Sequence, residues 1–333
     1  MNIGILGAGH IAGKMAGTIG KMDPAHYCCY AVASRSLEKA RAFARTFGVM
    51  RAYGSYEEML ADPAVDLVYI ATPHSHHAAH AELCIAHGKP VLCEKAFTAT
   101  APQAERVLTL AREKRVFVAE AIWTRYMPSR QIIRQIVDSG VLGRVRSIQA
   151  DIGYPLGAVE RLNRPELAGG ALLDVGIYPI NFALMAFGDA FEHVHAHAVM
   201  SPAGVDLVDS ITLTWPDGRL ASLHATMLTP TGRMGYIYGE EGYLAVTNIN
   251  NPERIIRYDR DHRPVEEYPI PQQISGYEYE VEACRTALEE GALACPQMTH
   301  AQTLAVMALM DTIRAQWGMQ YPFESDGASH RTL

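Results

Sequence analysis

The chain opens with a run that leaves its backbone few choices: Asn2-Ile-Gly-Ile-Leu-Gly-Ala-Gly-His-Ile-Ala12. Ile3, Ile5 and Leu6 form the short apolar run of a buried parallel strand. Gly7 and Gly9 take the first two places of a G-x-G-x-x-G/A fingerprint, and Ala12 takes the third. Each type has a physical reason. Gly7 permits the tight turn, Gly9 leaves bare backbone for a pyrophosphate, and Ala12 lets the helix approach the sheet closely. The helix-like run Ile11 to Ile19 offers N–H groups and a partial positive charge to phosphates at its start. The expectation is a dinucleotide site on Gly7, Gly9, His10, Ile11 and Ala12. The alternative is a glycine turn in some other α/β protein.

A second strand, Tyr27 to Ala33, bears on the choice of dinucleotide. Sites that prefer NAD place an acidic residue near its end, on the ribose 2′-hydroxyl. Here Ser34-Arg35-Ser36 follows instead. Ser34 can hydrogen-bond a 2′-phosphate, and Arg35 can pair with it and stack on adenine. NADP is therefore expected over NAD. The same three residues can also cap the next helix, and the two roles are compatible.

With 333 residues, of which 49% are hydrophobic, the chain suits about two domains with substantial cores. Its net charge of −7, without a basic stripe or tail, argues against nucleic acid as a partner. No run approaching the ~20 apolar residues of a membrane span is apparent, so no membrane partner is expected. The first strand begins at once, with no leader pattern. The cysteines at 28, 29, 84, 93, 284 and 295 sit among apolar neighbours and read as reduced, buried thiols. These features suit a cytoplasmic protein.

Strand and helix alternate through the first third. Leu37 to Phe47 and Ser55 to Ala61 read as helices. Asp66 to Ala71 reads as a strand, which Thr72-Pro73-His74 ends at the ligand edge. His76 to His87 and Pro102 to Lys114 are helical, and Pro90 to Cys93 and Val116 to Ala119 are strands. This rhythm implies a parallel sheet with ligands at the carboxyl ends of its strands. Ala71, Thr72, Pro73 and His74 are thereby candidate cofactor contacts.

Past about residue 125 the pattern changes. Ser129 to Ser139 reads as a helix. Strand-like runs then dominate: Val145 to Ile152, His193 to Met200, Ser210 to Trp215, Leu220 to Met227, Arg233 to Tyr238, Tyr243 to Thr247 and Arg254 to Tyr258. Pro216-Asp-Gly218 marks a hairpin. Asp174 to Phe187, Tyr277 to Glu290 and His300 to Trp317 are helical. The expected fold is α/β: a Rossmann dinucleotide-binding domain over residues 1–122, then an α/β domain over 123–333 with a large, mainly antiparallel open sheet.

Two further segments carry chemistry. In Val91-Leu-Cys-Glu94-Lys95-Ala-Phe-Thr98, the Glu94-Lys95 pair follows a buried strand at the sheet's carboxyl edge. Lys95 can hold a substrate oxygen or a ribose there and lower the pKa of a neighbouring acid; an exposed ion pair is the alternative. In Gly169-Gly-Ala-Leu-Leu-Asp174-Val-Gly-Ile-Tyr178-Pro, Asp174 and Tyr178 share a face if a helix starts at Asp174. A phenol beside a lysine can exchange a proton with an alcohol or carbonyl. Asp174 can anchor a substrate hydroxyl or orient Tyr178. The alternative is a capping aspartate and a packed tyrosine.

Together the fingerprint, Thr72-Pro73-His74, Glu94-Lys95 and Asp174-x-x-x-Tyr178 resemble the glucose–fructose oxidoreductase/inositol dehydrogenase (Gfo/Idh/MocA) family over nearly the whole chain. Ala119-Glu-Ala-Ile-Trp123-Thr-Arg125-Tyr126-Met-Pro128 is most similar to its dimeric dihydrodiol dehydrogenase and NADP-linked D-xylose dehydrogenase subgroup. There a tyrosine, matching Tyr178, replaces the family's histidine. The resemblance implies NADP-linked oxidation of a sugar or vicinal diol, or the reverse reduction, with Lys95, Tyr178 and Asp174 catalytic. The family's Glu-Lys-Pro is Glu-Lys-Ala here, so the stiffening proline after Lys95 is missing.

Trp123 and Arg125 are candidate substrate contacts, as an apolar wall and a donor fork, with domain-boundary packing the alternative for Trp123. His74 is expected near the nicotinamide or its ribose. His193, His195 and His197 alternate on one face of a strand and read as surface decoration. No metal site is expected, because no acidic or thiol partner sits at ligand spacing. An open sheet face and the resemblance together imply a homodimer or higher homo-oligomer. Two rivals share this fold: an NAD-dependent glycosidase, and a dinucleotide-binding regulatory protein without catalysis.

Overall fold

The computed structural model describes residues 1–326. Its first strand, β1 (Asn2–Leu6), leads to α1 (His10–Ile19), β2 (Cys28–Ala33), α2 (Leu37–Phe47), β3 (Arg51–Tyr53), α3 (Tyr56–Leu60) and β4 (Leu67–Ile70). There follow α4 (His74–Ala86), β5 (Val91–Glu94), α5 (Ala101–Lys114) and β6 (Val118–Ala121). These strands form one sheet in the order β3-β2-β1-β4-β5-β6, parallel at every pairing. The order reverses between β1 and β4, and such a switch point is where open α/β sheets bind ligands. β4, β5 and β6 are buried throughout, as strands covered on both faces must be. Local chemistry sets the helix ends. Ser36 Oγ accepts the Lys39 N–H at 3.3 Å to start α2, and Gly48, at φ +69°, stops it.

The chain continues with α6 (Pro128–Asp138), β7 (Val145–Gly153), a wide π-type turn at Leu172–Gly176, and α7 (Ile177–Phe187). Next come β8 (His193–Met200), β9 (Asp206–Thr214), β10 (Leu220–Thr226), β11 (Met234–Gly239), β12 (Gly242–Thr247), β13 (Arg254–Tyr258) and β14 (Pro264–Tyr268). These strands form the second sheet, in the order β14-β13-β12-β11-β7-β10-β9-β8. Only β7 and β10 pair in parallel. The expected architecture, a Rossmann fold followed by a mainly antiparallel sheet, is the one observed. β14 was missed because it is an exposed edge strand with no apolar alternation. β9 begins four residues before the expected Ser210. His193, His195 and His197 are exposed on the edge strand β8. α8 (Glu278–Glu289), α9 (His300–Gln316) and α10 (Pro322–Asp326) complete the described chain.

Two compact units emerge: Met1–Tyr126 together with Gln273–Leu304, and Met127–Gln272 together with the described residues from Ala305 on. The expected division at 122/123 therefore omits the return of residues 273–304 to the first unit. That return is fixed by long-range bonds to β6. The Val118 N–H donates to the Leu293 carbonyl at 3.1 Å, His300 Nε2 lies 2.9 Å from the Val118 carbonyl, and Thr303 Oγ1 donates to Glu120 Oε2 at 2.9 Å.

One stretch departs from the expectation of no span-like run. Pro165–Phe187 is long and apolar enough to cross a membrane by composition alone, with 89% of its most apolar window buried. Its apolarity is accounted for inside the second unit, where α7 packs on β7 and β10.

Candidate active site

The N-terminal fingerprint folds as its residue types require. Gly7 sits at φ +108°, and a Cβ there would lie 2.9 Å from the Ala71 carbonyl oxygen, so the turn presses against the end of β4. Gly9 is different: a Cβ there would meet nothing within 4 Å. Its bare backbone faces outward at the start of α1, with no side-chain cap and no acidic residue in the first turn. This is the arrangement that receives a phosphate. His10 is exposed, Ile11 half-buried, and Ala12 fully buried against the sheet. A groove of about 610 Å³ adjoins the turn, lined by Gly9, His10, Lys14, Lys39, Phe43 and Phe47 among others. Lys14 and Lys39 were not singled out from sequence, although Lys39, four residues after Arg35, was in plain view.

At the end of β2, Ser34 Oγ accepts the Ser36 N–H at 3.4 Å, and Ser36 caps α2. The capping alternative is thus realised at Ser36, while Arg35 stays exposed. Burial, with the Arg35 charge as a secondary cause, pushes the His76 imidazole pKa down. His80 is lowered to about 4, by burial first and then by His76, His77 and Arg35. Ala71 is buried, and Thr72 and Pro73 are half-buried between β4 and α4. His74 does not end a strand. It is the buried first residue of α4, because Pro73 takes the extended conformation of an N-cap (φ −62°, ψ 151°).

Three buried side chains hold the backbone around Lys95. Glu94 Oε2 accepts the Lys95 N–H at 3.1 Å. His77 reaches the Ala96 carbonyl through Nδ1 at 2.9 Å and the Thr72 carbonyl through Nε2 at 2.7 Å. Glu120 Oε1 accepts the Phe97 N–H at 3.2 Å. The Tyr69 hydroxyl donates to Glu94 Oε1 from beneath. The Lys95–Ala96 peptide bond is cis. Lys95 itself is half-buried. His77 and Glu120 were not recognised from sequence, and the only local hint was an acid inside the apolar strand Val118-Ala-Glu-Ala121.

Burial raises Glu120 to about 7, against the pull of its Thr303 and Phe97 hydrogen bonds and of the Arg125 charge. A raised carboxyl favours folding while protonated. This contribution is complete below the ordinary carboxyl range and is lost as pH rises through about 7. Glu120→Gln keeps an acceptor for Phe97 and a donor for Thr303. The melting temperature of wild type relative to this variant is expected to fall between about pH 4.5 and pH 7 and to level off above. Parallel melts across that range check it; a constant difference contradicts the assignment.

Trp123 is buried and stacks on Tyr277 with ring centres 4.4 Å apart at 14°. This stacking lies within the first unit. Arg125 is half-buried.

In the second unit, Asp174 and Tyr178 are both buried, at 8% and 6% exposure. Asp174 does not start the helix as expected. It lies inside the π-type turn Leu172–Gly176, and Tyr178 follows in the first turn of α7. Single π turns inside helices recur at functional sites, because the extra residue redirects side chains. Arg161 Nη2 donates to Asp174 Oδ1 at 2.8 Å and keeps that carboxylate paired. Arg161 was missed because it arrives from an irregular segment without pattern. Acid, phenol and guanidinium together can orient a hydroxyl and exchange its proton.

Comparison with known proteins agrees with this geometry. Residues 1–121 match the model of an oxidoreductase family with an NAD-binding Rossmann fold, and residues 131–245 match the GFO/IDH/MocA C-terminal domain. The chain is 32% identical over 325 residues to a trans-1,2-dihydrobenzene-1,2-diol dehydrogenase of Xenopus tropicalis, covering 96% of this chain and 98% of that one. To the Danio rerio enzyme of the same name it is 33% identical over 328 residues, covering 97% and 98%. Among solved structures, a 3-ketoreductase from Actinomadura kijaniata in complex with NADP and TDP-benzene superposes with a TM-score of 0.86 at 26% identity, covering 95% and 97%. An aldose-aldose oxidoreductase from Caulobacter crescentus shares the fold, with a TM-score of 0.82 at 22% identity, covering 95% and 97%. With its fingerprint turn, its framed Lys95 and its two matched domains, the chain belongs to the Gfo/Idh/MocA oxidoreductase family.

Proposed function

We propose that this protein transfers hydride between NADP and a hydroxyl or carbonyl carbon of a sugar or vicinal diol. The observation that carries the reading is the three-point hold on Lys95-Ala-Phe97 at the end of β5. It fixes a cation at the carboxyl edge of a dinucleotide-binding sheet. The full-length likeness to diol dehydrogenases supports the substrate class.

The residues fit the cofactor. Gly7, Gly9, His10, Ile11 and Ala12 would seat the pyrophosphate on α1. Ser34 and Arg35, with Lys39 of the adjoining groove, would meet the 2′-phosphate. Ala71, Thr72, Pro73, His74, Glu94 and Lys95 would line the nicotinamide side. NADP, when bound, accepts or returns the hydride. Tyr178 takes the hydroxyl proton as the carbon's C–H bond breaks. Lys95 holds the substrate oxygen. Asp174, oriented by Arg161, holds a neighbouring hydroxyl, and Trp123 and Arg125 contribute to the substrate wall.

NADPH is expected to bind at least about tenfold more tightly than NADH, and Arg35→Ala to remove most of that difference. Fluorescence titration of the nucleotide-free protein measures both, and a preference for NADH would overturn the cofactor assignment. Net reduction of NADP by a sugar or diol separates this reading from a glycosidase with a tightly held cofactor. We also propose a homodimer through the second sheet, whose tyrosines 236, 238, 243 and 258 form a partly exposed row of stacked and tilted rings. A monomeric mass in sedimentation would refute it.

A further inference from the structure

β9 carries two carboxyl groups, Asp206 and Asp209, each 0% exposed. Residues three apart on a regular strand point to opposite faces. A bulge removes the conflict: Val199 pairs with Val208, but Met200 pairs with Asp206, so the register slips between them. Both carboxyls then reach the backbone around the Leu172–Gly176 turn. The Leu172 N–H donates to Asp206 Oδ2 at 2.5 Å. Gly170, at φ +114°, crosses directly over Asp206 Oδ1, leaving no room for a Cβ. A Cβ on Gly176 would sit 3.5 Å from Asp209 Oδ2. Asp206 therefore holds this backbone ahead of Asp174, and Asp209 lies beside Gly176, two residues before Tyr178.

The Ala171 and Asp206 N–H groups also favour the Asp206 carboxylate, whereas no donor from the rest of the described protein reaches either oxygen of Asp209. The two carboxyls are instead within hydrogen-bonding reach of each other. Two ionised carboxylates could offer each other only repulsion, so a proton held between them supplies the missing donor. Asp174, paired with Arg161, sits on the same backbone, and further titratable and charged groups come from residues 311–324. Tyr321 faces Asp206, and its phenol is held up chiefly by burial and then by the Asp206 charge. Arg314 lies 4.4 Å over the Tyr321 ring, and its guanidinium pairs with Asp311 and Glu324.

We propose that Asp206 and Asp209 are positioning residues that share one proton, clamp the Gly170–Gly176 backbone so that Asp174 and Tyr178 are presented, and release it when that proton is lost. This rests on the reading of Asp174 and Tyr178 as active-site residues. Burial raises Asp206 to about 6, and burial with the Asp206 charge raises Asp209 well above the ordinary carboxyl range. At low pH the clamp is intact. As pH rises through the raised values the pair becomes doubly charged, its members repel, and the stabilisation is lost.

The test measures kcat, substrate KM and NADPH affinity against pH for wild type, Asp209→Asn, Asp209→Ala and Asp206→Ala, with thermal melts alongside. The amide of Asp209→Asn donates permanently to Asp206. This variant is expected to restore the turnover that Asp209→Ala loses and to abolish the alkaline fall in kcat. The alanine variants are expected to lose about 10²-fold in kcat with KM and NADPH affinity near wild type. An alkaline limb in Asp209→Asn identical to wild type would overturn the proposal, as would folded alanine variants with full kcat. If the alanine variants do not fold, the Asp209→Asn profile decides alone. Should Tyr178→Phe retain turnover, the functional reading has failed, and the melts still judge the clamp. Wild type should lose stability relative to Asp209→Asn as pH rises from the ordinary aspartate value of 3.8 through the raised ones, and a constant difference refutes the shared proton.

Discussion

Tyr178→Phe is expected to lower kcat by about 10²- to 10⁴-fold while leaving NADPH affinity unchanged. The phenol oxygen is the only atom removed, and the ring still fills a site that is 6% exposed at the start of α7. The fold should therefore survive, and the loss should fall on the proton-transfer step rather than on binding. Lys95→Ala should show a loss of the same order, because it removes the cation proposed to hold the substrate oxygen. Its backbone is held through the main-chain groups of Lys95, Ala96 and Phe97, so the frame does not depend on the lysine side chain. Single-turnover hydride transfer and NADPH titration separate chemistry from binding. Full kcat in either variant would remove that residue from the mechanism. Loss of NADPH binding in Tyr178→Phe would show that the tyrosine is structural.

The second large effect divides the two fingerprint glycines. Gly9→Ala is expected to melt like wild type but to bind NADPH weaker by about tenfold or more. The added methyl meets no protein atom within 4 Å, and Gly9 already has a φ of −93° that alanine accepts. The methyl would instead occupy the surface proposed to seat the pyrophosphate. Gly7→Ala should behave in the opposite order, losing stability first. It forces alanine to φ +108° and brings Cβ to 2.9 Å from the Ala71 carbonyl oxygen, a contact that must shift one end of β4. A disfavoured conformation of this kind costs about 1–3 kcal/mol before the clash is counted. Melting curves and cofactor titrations on both variants test the contrast. Equal stability loss in both would mean that Gly9 is a structural turn.

What could be read from the sequence was local. The strand, glycine turn and helix at the N-terminus, the Ser36 cap, the Pro216-Asp-Gly218 hairpin and the placement of Lys95 at a strand end each depend on neighbours a few residues away. The misreadings were local too, where two signals competed. Pro73 started α4 at His74 although the helix pattern suggested His76, and the π turn began at Leu172 although Asp174 looked like a cap. Other features rest on contacts that pattern does not report. His77 and Glu120 meet the Lys95 segment through side chains 19 and 23 residues away from their partners. Arg161 reaches Asp174 from a run without periodicity. Asp206 and Asp209 escaped notice because the strand pattern was legible only from Ser210, four residues into β9.

The hold on β6 by the chain's late segment has a consequence for biosynthesis. β6 is an edge strand, and its Val118 N–H and carbonyl are both taken by residues that follow more than 170 positions later, Leu293 and His300. A ribosome that has finished the nucleotide-binding sheet has therefore not yet supplied what seals its border. Until residues 273–304 emerge, the nascent chain carries an unsealed strand edge, the kind of surface that recruits chaperones or pairs with another chain. A product cut short after Tyr126 should be sticky, and supplying residues 273–304 as a separate peptide should relieve it.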